Sequence, residues 1–131
     1  MADLQVGVLS CSGEECLGGT LARMATRMVM EQNPETVVTL CLPLYIAGGE
    51  EERNFANDYP VISVDGCAKC CAQRATIKFS GDVQDTVVLS ELLSDDVVLG
   101  KPVSMRDLTD EHTQMAMRIA DAIGKKLDAL Q

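Results

Sequence analysis

Apolar residues in this chain fall into short unbroken runs that alternate with longer segments of helical periodicity. The first run, Leu4-Gln5-Val6-Gly7-Val8-Leu9-Ser10, has the length and composition of a buried strand. After the turn Cys11-Ser12-Gly13, apolar Leu17, Leu21, Met24, Ala25 and Met28 recur at helical spacing, with Arg23, Arg27 and Glu31 opposite. Asn33-Pro34 ends that helix. The β-branched stretch from Thr36 to Leu42 predicts a second strand. A longer connection from Pro43 to Pro60 follows, in which Glu50-Glu51-Glu52-Arg53-Asn54-Phe55 could form a short helix.

Val61 to Val64 predicts a third strand, and Cys67 to Phe79 a helix stopped at Ser80-Gly81. Thr86 to Leu89 predicts a fourth strand, and the short apolar segment Asp95 to Leu99 could be a fifth. The last segment, Thr109 to Leu130, opens with acidic residues and carries Met115, Ile119, Ala122, Ile123, Leu127 and Leu130 on one face, the clearest helix of all. Burial of that face within the chain is expected, although a homodimer or another protein partner could use the same surface.

Alternating strands and helices predict an α/β fold with a mainly parallel sheet of four or five strands and helices on both faces. Right-handed crossovers favour the order 2-1-3-4, a Rossmann-like or flavodoxin-like arrangement. No repeat, linker or low-complexity segment divides residues 1–131, so one domain is expected. Ligands of such sheets bind beyond the carboxyl ends of the strands. Cys11 follows the first strand, Cys41 ends the second and Cys67 follows the third, so three distant thiols should converge on one sheet edge.

Charge narrows the partners. A net charge of −9 with no basic stripe argues against nucleic acid and against an anionic membrane surface. Gly124-Lys125-Lys126 reads as the cation-rich end of a helix. No apolar stretch is long enough to span a bilayer, and the start Met1-Ala2-Asp3-Leu4-Gln5 lacks the pattern of a secretory signal, so a cytoplasmic setting is expected. In a reducing compartment, six cysteines point to metal or redox chemistry before structural disulfides.

The thiols concentrate in Asp65-Gly66-Cys67-Ala68-Lys69-Cys70-Cys71-Ala72-Gln73-Arg74, which follows a strand and opens a helix. Exposed N–H groups and the positive end of a helix dipole favour thiolate over thiol there. If the helix begins at Cys67, then Cys67 with Cys70 or Cys71 shares one face and could chelate an ion. Cys11, Cys41, Cys67 and Cys71 would supply the four thiolates of a tetrahedral zinc site, with Lys69 and Arg74 as outer donors. Cys16 reads equally well as a small hydrophobe on an apolar helix position.

Other chemistries fit poorly. Gly13-Glu14-Glu15-Cys16-Leu17-Gly18-Gly19-Thr20 imitates a phosphate loop, but Gly19 stands where the lysine belongs and the two glutamates would repel phosphate. Its glycines are better explained by close helix–sheet packing. No cysteine is followed at Cys-x5-Arg spacing, which removes a phosphatase-type or arsenate-reductase-type loop. The lone His112 is far in sequence from every cysteine and reads as a surface residue. Two readings stay open: zinc binding, and sulfur chemistry through an iron–sulfur cluster, persulfide transfer or dithiol exchange. Spare thiols Cys16 and Cys70 lean toward the second. No catalytic residue can be named, and whether the chain is an enzyme is left open.

Taken together, Cys11-Ser12-Gly13, Cys41-Leu42-Pro43-Leu44, Glu52-Arg53-Asn54-Phe55-Ala56, and Asp65-Gly66-Cys67 followed by Cys71-Ala72 resemble the DGC-domain family over about residues 4–92. That family is named for its Asp-Gly-Cys turn and is regarded as zinc-binding. The resemblance implies four chelating cysteines, which map onto Cys11, Cys41, Cys67 and Cys71. It implies nothing for Cys16 or Cys70, and no cellular activity.

Overall fold

The structure, a computed structural model, describes residues 4–11 and 13–131. Ser12, in the turn after the first strand, lies outside the described residues. In chain order the elements are β1 (Val6–Ser10), α1 (Leu17–Gln32), β2 (Val37–Val38), α2 (Leu44–Ala47), α3 (Glu50–Arg53), α4 (Phe55–Asp58), β3 (Val61–Asp65), α5 (Cys71–Phe79), β4 (Asp85–Val88), α6 (Leu89–Leu92) and α7 (Asp110–Ala129). A 3-10 turn, Met105–Asp107, precedes α7. The strands form one parallel sheet in the order β2-β1-β3-β4, as the alternation predicts.

Period-two alternation sends the strands' side chains to two cores. Val6, Val8, Ile62, Val64 and Val87 pack with Leu21, Ala25 and Val29 of α1 and Ile119 and Ile123 of α7. On the opposite face, Leu9 and Val61 pack with Tyr45 of α2 and Phe55 of α4, with Ala75 of α5 against them. Helices therefore cover both faces, and β1 and β3 are buried along almost their whole length. No described helix is long and apolar enough to cross a membrane.

Three expectations need correction. The strand expected over Thr36 to Leu42 shrinks to Val37–Val38, paired with Val6 and Gly7. One residue further on, the Thr39 hydroxyl donates to the Val8 carbonyl at 2.7 Å, so a side chain replaces the next rung of the ladder. Cys41 consequently lies beyond the strand, in a turn where its carbonyl accepts the Leu44 N–H.

The helix expected from Cys67 begins only at Cys71. Asp65 ends β3, and its carboxylate accepts the N–H of Ala72 at 2.7 Å and of Gln73 at 3.2 Å. This cap fixes the helix start four residues late and leaves Cys67–Cys70 as a turn closed by Cys70 N–H on the Cys67 carbonyl. Cys70 takes the left-handed conformation, φ 51° and ψ 53°.

Asp95 to Leu99 is not a fifth strand. It belongs to a strap laid across the start of α1: the Leu17 N–H donates to the Lys101 carbonyl, the Gly18 N–H to Leu99, and Val103 N–H to Glu15. Cys16 and Pro102 form an isolated antiparallel bridge there.

Candidate functional site

The carboxyl ends of β1 and β3 deliver their following residues to one cavity of about 440 Å³. Cys11, Cys16, Cys67 and Cys71 line it, together with Gly13, Gly18, Leu42, Asp65 and Leu99 among others. A parallel sheet brings these residues together because each strand's loop must leave at the same edge. The cavity thus lies at the sheet edge where ligands of this fold class bind, and it is mostly apolar apart from its thiols and one carboxyl.

The members differ in exposure. Cys11 is buried, and its Sγ accepts the Gly66 N–H at 3.3 Å. Burial pushes its thiol above the ordinary value, against the Gly66 and Gly13 N–H groups, which favour thiolate. The negative charges of Asp65 and of a neighbouring Cys16 thiolate add to the upward push. Cys67 and Cys71 are exposed at the mouth, and Cys16 is half-buried.

Asp65 is fully buried, with its oxygens turned to α5 and occupied by Ala72 and Gln73. Burial raises its carboxyl, and the bonds from Ala72, Gln73 and Ser63 offset part of that rise. Its role is to aim the thiol turn and to start α5. Adjacent Gly66 lets α1 approach: a Cβ on Gly18 would meet the Gly66 carbonyl oxygen at 2.8 Å. The glycines of the loop that imitates a phosphate-binding sequence therefore serve packing. The strap's carbonyls on Leu17 and Gly18 also occupy the N–H groups that a phosphate would need.

Cys41 is exposed and does not line the cavity, although its neighbour Leu42 does. Cys70 is half-buried; burial raises its thiol first, and nearby acidic and thiol groups add to that. Lys69 and Arg74, expected as outer donors, are both exposed, and Arg74 shares a shallow groove along α5 with Cys71. His112 accepts the Thr109 N–H at Nδ1, 3.0 Å away, and so caps α7. It lines a different cavity of about 780 Å³, between the strap and α7. Among the described residues, no three His, Cys, Asp or Glu side chains stand close enough together to hold a metal ion without movement.

The sequence left Cys16 divided between a small hydrophobe on an apolar helix position and a spare thiol. The structure makes it the residue just before α1, with an extended backbone, facing the cavity. The signal was present: the helical periodicity starts at Leu17, which puts Cys16 at the cap position.

Fold and site define the class as a parallel α/β domain carrying a thiol-lined cavity at the carboxyl edge of its sheet. Within that class the chain belongs to the DGC-domain family, whose DGC domain is matched over residues 7–115. No curated protein and no solved structure matches the chain.

Proposed function

We propose that the chain binds zinc through thiolates at the carboxyl edge of its sheet. The observation that carries this reading is the single cavity lined by Cys11, Cys67 and Cys71, residues delivered by different strands and helices. Soft thiolates suit Zn²⁺, and a tetrahedral structural site takes four of them. The family pattern adds Cys41 as the fourth. All six cysteines are free thiols, which fits a reducing compartment such as the cytoplasm.

The donors fit the ion in chemistry and need rearrangement in position. Cys67 sits in a turn and Cys41 in a loop, so both can move without breaking a helix or the sheet ladder. Zinc binding lowers thiol proton affinity, which would offset the burial that keeps Cys11 protonated.

Metal analysis of the chain purified without oxygen tests the reading. About one zinc per chain is expected from a single tetrahedral site, with loss on Cys67→Ser or Cys71→Ser. Iron with acid-labile sulfide would instead establish a cluster, which also uses cysteine thiolates. A metal-free protein with one fast-alkylating thiol would favour sulfur transfer.

A further inference from the structure

The cavity holds a fourth thiol beside those of Cys11, Cys67 and Cys71, and that thiol is better placed than Cys41. Cys16 lines the cavity with Cys11, Cys67 and Cys71, whereas Cys41 is exposed on the turn before α2. Its backbone is held on every side. The Cys16 carbonyl accepts both the N–H and the hydroxyl of Thr20, at 3.1 and 3.0 Å. Its neighbours Glu15 and Leu17 are bonded to Val103 and Lys101 of the strap.

Room for the sulfur is built into the preceding turn. A Cβ on Gly13 would come within 2.7 Å of the Cys16 Sγ, so glycine at that position leaves space that a side chain would take. The sulfur shares its cavity with Cys11.

We propose that Cys16, rather than Cys41, supplies the fourth sulfur to the metal held by Cys11, Cys67 and Cys71. The inference rests on the zinc reading above and changes one of its ligands. A donor already lining the cavity and fixed at its backbone needs less ordering on binding than one recruited from an exposed loop.

Cobalt(II) is the probe, titrated into the reduced full chain without oxygen. Wild type, Cys16→Ser and Cys41→Ser are compared. Cys16 makes no side-chain cap bond to α1, and serine is a preferred residue at the start of a helix, so Cys16→Ser should leave the metal-free fold intact. Expected for Cys16→Ser is a loss of sulfur-to-cobalt charge-transfer intensity. Its affinity should fall by more than the roughly 10–100-fold that loss of an outer donor produces. Cys41→Ser should keep the wild-type spectrum and affinity.

Alkylation of the zinc-loaded wild type, read by mass spectrometry, gives the same answer without a variant: Cys16 protected and Cys41 modified. The reverse pattern, with Cys41 protected and Cys16 modified, overturns the assignment while leaving zinc binding in place. Failure of the wild-type chain to take up either metal overturns the zinc reading itself, and this assignment with it.

Discussion

Asp65 shows how one residue organises a thiol turn. Its carboxylate lies at the end of β3 with no exposure, and it caps α5 through Ala72 and Gln73. Removing it leaves two N–H groups without this acceptor, at a cost of about 1–2 kcal/mol for Asp65→Ala. Burial of the carboxyl already works against the charge, since its proton affinity is raised. Asp65→Asn removes that burden and keeps one oxygen for the Ala72 N–H, so it should be the milder change. Urea unfolding of both variants checks the order; an alanine variant as stable as wild type would remove Asp65 from this role. The motif showed that Asp65 precedes the cysteines. It did not show that the carboxylate reaches past them to residues 72 and 73, because that depends on where the chain turns. For the same reason, Cys67 looked like a helical residue and is not one.

Close approach between elements governs the next scale. Helix α1 crosses the end of β3 so tightly that Gly18 and Gly66 touch backbone to backbone. Alanine at Gly18 gains up to about 1 kcal/mol of helix propensity. Against that, its Cβ would press on a carbonyl that cannot swing aside, and such overpacking typically costs about 1–3 kcal/mol. Gly18→Ala should therefore destabilise the chain. Gly124 is the internal control, because a Cβ there meets nothing within 4 Å. Being inside α7, Gly124→Ala should stabilise by roughly 0.5–1 kcal/mol. Thermal unfolding of the two variants should move in opposite directions, and matching shifts would contradict the packing argument. Helices α1 and α7 were legible because their apolar stripes repeat over several turns. Strand β2 was not, since Thr39 bonds by its hydroxyl where a β-branched residue would be expected to continue the ladder.

Over the whole molecule, strand order decides what chemistry is available. With β1 and β3 adjacent, the loops after both strands open on one side and bring Cys11 next to the Asp65–Cys71 turn. The strap from Leu93 to Val103 then closes over the amino end of α1, contributing Leu99 and Gly100 to the cavity wall. Alternation of elements made this order and this edge legible. The strap was not, because its role is to offer carbonyls to α1, which leaves no periodic trace in its side chains. Its short apolar segment resembled a strand for that reason. Reading Cys16 was hard on the same grounds, since its place depends on the helix boundary and on Gly13 before it.

The central claim is that sulfur atoms at this edge hold zinc, and X-ray absorption at the zinc edge of the loaded chain tests it most directly. The account predicts a shell of sulfur scatterers at ~2.3 Å with no other atom type in it. A shell made mainly of nitrogen or oxygen at roughly 2.0–2.2 Å would contradict it.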